Sequence, residues 1–141
     1  MRLIRSAGVG VLFAATIAAS ALAQDSLFKD LGGQAGVTRI ADQSVSLFLA
    51  DNRVKADFDN TNLDRLRQRL ADQFCQITGG PCVYRGHSMA EAHAGLDVTQ
   101  AKFNAVAEDV QTAMRQIGIP YWTQNRLMAR LAPMQRDIVT K

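Results

Sequence analysis

The chain is 141 residues long and has only two cysteines, three prolines, one tryptophan and two histidines; aromatic residues make up 6% of it. Two cysteines without a second pair cannot complete the usual cysteine-rich zinc site. Alternation of apolar and polar residues with a period of two is nowhere sustained, so a β-sheet is not expected. Lys and Arg are interleaved with Asp, with no basic block and no set of stacking aromatics, which argues against nucleic acid as a partner. Internal repeats, low-complexity tracts and interdomain linkers are also missing. A chain of this length with 48% apolar residues can bury one modest core and is too short for two.

The one long uncharged run lies at the start. Arg2 and Arg5 precede the largely apolar stretch from Ala7 to Ala19, and Ala21-Leu22-Ala23 is a small-x-small site before Gln24. This is the pattern of a secretory signal peptide over residues 1–23, with a mature domain over residues 24–141. The competing reading is an uncleaved anchor, for which the apolar run is short. No cysteine opens the mature chain, so a lipoprotein is not expected. The full chain carries 16 basic and 13 acidic residues. Without Arg2 and Arg5 the basic count is 14, and the mature net charge falls to +1. The expected location is periplasmic or secreted, with no membrane association after cleavage.

Export changes what Cys75 and Cys82 are expected to do. They lie seven positions apart across Gly79-Gly80-Pro81, and an oxidising compartment lets them close a small loop. Metal binding by the thiolates is the weaker alternative.

Four apolar stripes at helical spacing organise the rest. They are Val37, Ile40, Ser44, Val45 and Phe48; Leu63, Leu66, Leu70, Phe74 and Ile77; Phe103, Val106, Val110, Met114 and Ile117; and Leu127, Leu131, Met134 and Ile138. Gly118-Ile119-Pro120 supplies a stop before the fourth, which Pro133 is expected to bend. Thr61 to Asp64 and Ser88 to Glu91 have capping-box spacing. Arg65, Arg67 and Arg69 are spread around a helix and read as a solvated face. An all-α domain follows.

The most specific segments are Leu31-Gly32-Gly33, Leu49-Ala50-Asp51, Thr61-Asn62-Leu63, Thr78-Gly79-Gly80 and Tyr84-x-Gly86-x-x-Met89-x-x-x-His93. In this order and spacing they resemble the group I truncated haemoglobins, over nearly all of the mature chain from about Ser26 to Val139. The resemblance implies a truncated globin fold, a two-over-two helical sandwich around haem b.

The resemblance also implies site roles. His93 matches the proximal iron ligand. A lone histidine is ordinarily a surface or core residue, but its neutral imidazole suits haem iron and its second ring nitrogen can be fixed by a backbone carbonyl. His87, beside Gly86, reads as exposed or near a propionate, with iron ligation the weaker alternative. Phe58 matches a residue packed on the haem face, and Tyr84, Met89 and Phe103 match proximal contacts; ordinary core packing is the alternative for each. Covalent haem attachment through Cys-x-x-Cys-His is not encoded.

On the distal side the chain departs from the family pattern. Positions where many relatives carry a tyrosine and glutamines hold Val45, Leu66 and Leu70, so an apolar distal pocket is expected. Arg69 is a candidate for reaching inward or holding a propionate, with a solvated position as the default. The implied function is reversible binding of oxygen, nitric oxide or carbon monoxide. Nitric oxide detoxification would require an external reductase, since the chain has no flavin or nicotinamide domain; whether the protein is an enzyme is left open. A non-catalytic haem sensor, transfer or electron-transfer protein is one alternative. A helical adaptor that has lost haem is another.

Overall fold

The apolar stripes become the inward faces of helices, fully buried on α2 and partly buried on the others, in the computed structural model, which describes residues 27–141. The leader expected over residues 1–23 lies outside the described residues. The described helices are α1 (27–30), α2 (Gly33–Ala50), α3 (Leu63–Ile77), α4 (Met89–His93), α5 (Gln100–Gln116), α6 (Tyr121–Leu131) and α7 (Gln135–Ile138), with 3₁₀ turns at Lys55–Phe58 and Ala132–Met134. No described residue is in a strand.

Helix α2 is the centre of the packing. It lies against both α3 and α5, while α5 also contacts α6. Val37, Ile40, Ala41, Ser44, Val45 and Phe48 form its buried face. Opposite them are Phe74 and Cys75 on α3, Val110 and Met114 on α5, and Leu127 on α6. Burying each large aliphatic or aromatic side chain contributes about 1.5–3 kcal/mol, and this shared core holds the four long helices as two pairs. Gln43 on α2 donates to Gln116 on α5 and Arg53 pairs with Glu108, so α2 and α5 run antiparallel.

Helix ends follow local chemistry. The α3 cap is Asn62, whose side-chain oxygen accepts from the Arg65 backbone N–H at 2.9 Å. The capping box expected from Thr61 to Asp64 therefore does not form: the helix starts one residue later, and the carboxamide takes the orphan donor. The Ser88–Glu91 box does form, with both reciprocal bonds in place. Pro133 sits in the 3₁₀ turn between α6 and α7, where the fourth stripe bends as expected.

The three arginines of α3 are not one solvated face. Arg65 is exposed, but Arg67 and Arg69 are half-buried. Arg67 reaches Asp42 at 3.9 Å and Asp64 at 3.7 Å. Alternate positions on a helix turn by about 200°, so three such residues cannot share a single exposure.

Candidate functional site

Between the end of α3 and the start of α5 the chain has little regular structure. What order it has comes from local bonds. Cys75, fully buried on α3, is bridged to Cys82, closing the loop that contains Gly79-Gly80-Pro81. Gly80 is required there by space: a Cβ would lie 2.6 Å from the Cys75 sulfur and 2.7 Å from the Phe28 ring. Beyond the bridge the Tyr84 ring lies over Gly86, where a Cβ would meet its hydroxyl at 2.2 Å. The Tyr84 hydroxyl donates to the His87 carbonyl at 2.9 Å. These contacts explain the Tyr84-x-Gly86 spacing and leave His87 itself exposed.

Ser88 then starts α4. Its hydroxyl accepts from the Glu91 N–H while the Glu91 carboxylate accepts from the Ser88 N–H and hydroxyl. Those bonds hold the Glu91 carboxyl below its ordinary range. One turn of helix carries the chain from Met89 to His93, and the half-buried His93 ring places Nδ1 2.8 Å from the Met89 carbonyl oxygen. A carbonyl only accepts, so Nδ1 carries the hydrogen. In the neutral ring Nε2 is then the unprotonated nitrogen, with its lone pair directed away from α4. Among the described residues no three His, Cys, Asp or Glu side chains are grouped to hold a metal ion.

The other expected site residues fall into groups. Val45 is fully buried on α2. Leu66 and Leu70, one turn apart on α3, are half-buried and packed against the core edge. Phe58 stacks on Phe48 with ring centroids 5.4 Å apart and 13° between planes. Arg69 is half-buried and makes no ion pair among the described residues. Tyr84 and Met89 line one cavity of about 220 Å³ together with Gln73, Gln76, Ile77, Ser88 and Met134. Phe103 stands half-buried in the first turn of α5 and does not line that cavity.

Sequence reasoning passed over Gln73. This buried residue directs its side-chain amide at the Met89 sulfur, 3.3 Å away, and lies 3.8 Å from the Met134 sulfur, so it ties α3 to α4 and to the C-terminal turn. Its only sequence signal is position: it follows Leu66 and Leu70 on the same helical face. Asp109 on α5 was also missed. Burial pushes its carboxyl above the ordinary range, aided by nearby Asp51, whereas Arg53 holds Asp51 down.

Long helices packed as α2 with α3 and α5, and α5 with α6, beside a short histidine-bearing α4 that contacts α7, define a globin framework of the two-over-two kind. The family model for bacterial-like globins matches residues 26–140. A group 1 truncated hemoglobin of Tetrahymena thermophila is 34% identical over 96 residues, which is 68% of this chain and 79% of that protein. One from Mycolicibacterium paratuberculosis is 28% identical, covering 82% and 85% of the two chains. Among solved structures, the Fe(III) form of truncated hemoglobin from Tetrahymena pyriformis superimposes with a TM-score of 0.79 at 27% identity, covering 82% of this chain and 98% of that one. The chain belongs to the bacterial-like globin family. Its cofactor is accordingly haem b, and the donor set fits: the His93 imidazole, held at Nδ1 by the Met89 carbonyl, leaves Nε2 to coordinate iron.

Proposed function

We propose that this protein is an exported haem b globin that binds diatomic gases reversibly, with His93 as proximal ligand and Val45, Leu66 and Leu70 as the main distal wall. The observation that carries the reading is the His93–Met89 bond, which fixes the ring and reserves Nε2 for iron. Bound haem supplies the iron on which a gas coordinates. Phe58, Tyr84, Met89 and Phe103 contribute apolar surface around the ring, and Arg69 and the exposed His87 are the candidates to hold its propionates. Export is supported by the leader pattern of residues 1–23 and by the Cys75–Cys82 bridge.

Selectivity follows from polarity. Oxygen on ferrous iron draws negative charge and is retained by a donor, whereas carbon monoxide gains far less. A wall of Val45, Leu66 and Leu70 offers none, so the protein favours carbon monoxide and nitric oxide over oxygen. Nitric oxide detoxification by this chain requires electrons from a separate reductase.

The test is an absorption spectrum of purified protein in ferric, ferrous and carbon-monoxide forms, beside His93→Ala. The native protein should show a Soret band and a five-coordinate ferrous state. The variant should lose stable haem, or keep it only with added imidazole. Unchanged ferrous and carbon-monoxide spectra in His93→Ala would remove the assignment.

A further inference from the structure

The described core contains a hydroxyl with no visible purpose. Ser44 sits on the inner face of α2, its residue fully buried, and its Oγ has no hydrogen-bond partner. Two other serine or threonine hydroxyls show what a helical hydroxyl ordinarily does. Ser46, two residues on and exposed, donates to the Asp42 carbonyl at 3.0 Å; buried Thr78 donates to the Phe74 carbonyl at 2.6 Å. Ser44 does not take the equivalent carbonyl of Ile40. A buried hydroxyl left unpaired costs roughly 1–3 kcal/mol, a cost that a bound molecule within reach of Ser44 would offset.

Its position suggests which partner. Ser44 precedes Val45, and successive helical residues are separated by about 100°, so the two side chains occupy adjoining sectors of one buried face. The ion pair of Asp42 with Arg67 marks the α3 side of that face, and the Gln43–Gln116 bond marks the α5 side. Ser44 lies between these marks, with Val45 beside it toward α3, where Leu66 and Leu70 stand.

We infer that Ser44 is a specificity-determining residue of the gas site: its hydroxyl donates a hydrogen bond to oxygen bound at the iron, directly or through one water. The inference rests on the distal wall proposed above and refines it, because the wall then carries a single weak donor. The other two orphaned atoms do not compete for this role. Asp109 Oδ2 belongs to the Asp51–Arg53–Glu108 group, and Thr123 Oγ1 is on α6, which does not contribute to the proposed wall.

Ser44→Thr and Ser44→Val provide the test, since they match in shape and differ in the hydroxyl. Oxygen dissociation should be about five- to tenfold faster in Ser44→Val than in Ser44→Thr, with carbon monoxide dissociation changed less than twofold. The C–O stretch of the carbon-monoxide adduct should shift between the two variants, and unfolding of the apoproteins reports the purely structural effect of the hydroxyl. Equal oxygen rates and equal C–O stretches, with Ser44→Val merely more stable as apoprotein, would overturn the inference. Val45→Tyr separates that failure from failure of the wall. If the tyrosine slows oxygen dissociation far more than carbon monoxide dissociation, Val45 does line the gas site and Ser44 alone is misassigned. If neither gas responds to Val45→Tyr, the wall falls and the role of Ser44 falls with it.

Discussion

The two sides of the expected haem site are built by different physics. The distal side is α2 and α3, 18 and 15 residues long, sharing a core through Val45, Phe48 and Phe74. The proximal side is the five-residue α4, with no fully buried residue of its own. Tertiary burial fixes the first. The second is fixed mainly by bonds between near neighbours, the Cys75–Cys82 bridge, the Tyr84–His87 bond, the Ser88–Glu91 box and the His93–Met89 bond, with the Gln73 amide on the Met89 sulfur and the contact of α4 with α7 as its longer-range ties. A gas pocket tolerates almost any packed apolar wall, but an iron ligand must present one nitrogen in one direction. Packing thus builds the proposed wall, and hydrogen bonds orient the proposed ligand.

The sharpest way to break this contrast is to damage the core alone. Phe74 is 1% exposed at the junction of α2, α3 and α5. Phe74→Ala should destabilise the apoprotein by about 3–5 kcal/mol, measured by urea unfolding. Where haem still binds, its ferrous spectrum should remain that of a five-coordinate histidine ligand, because the bonds around His93 do not pass through Phe74. Loss of imidazole ligation in that variant would show that the two sides are not independent.

A smaller effect should come from the proximal tether. Reduction of the bridge, or its replacement in Cys75→Ala/Cys82→Ala, should cost about 2–3 kcal/mol by the loop-entropy argument. Haem transfer to an acceptor apoglobin should accelerate in the same variant, since the loop leading to α4 loses its anchor on α3. Equal haem loss with and without the bridge would assign the disulfide to general stability only.

Much of the contrast was legible in sequence, and the exceptions are instructive. Stripes such as Val37, Ile40, Val45 and Phe48 reveal burial because helical periodicity is read from residue type alone. The Ser88–Glu91 box was legible for the same reason: both partners lie within four residues. Thr61–Asp64 failed because Asn62, a better cap one position on, starts the helix there and accepts from the Arg65 N–H. Gln73 and Ser44 were invisible as special residues, since what distinguishes them is a missing or unusual partner across the fold. The His93–Met89 bond stands between these cases. Its four-residue spacing is local, but nothing in the sequence says that the ring turns toward the helix and not toward solvent.

The smallest expected effect concerns the start of α4. Ser88→Ala removes the cap and should lower the free energy of opening this helix by about 1 kcal/mol, read by amide hydrogen exchange at Glu91 and Ala92, with the global unfolding midpoint nearly unchanged. The box also makes α4 sensitive to acid. The folded Glu91 carboxyl titrates below its ordinary range because the Ser88 N–H and hydroxyl donate to the charged form. Its contribution is therefore complete above the unfolded glutamate pKa and is lost as pH falls through the depressed folded value. In native protein, protection of α4 should decline over that acid window before the buried helices respond. Ser88→Ala should weaken the acid dependence as well as the protection. An unchanged acid response would assign it to the backbone N–H of residue 88 alone, which the substitution leaves in place.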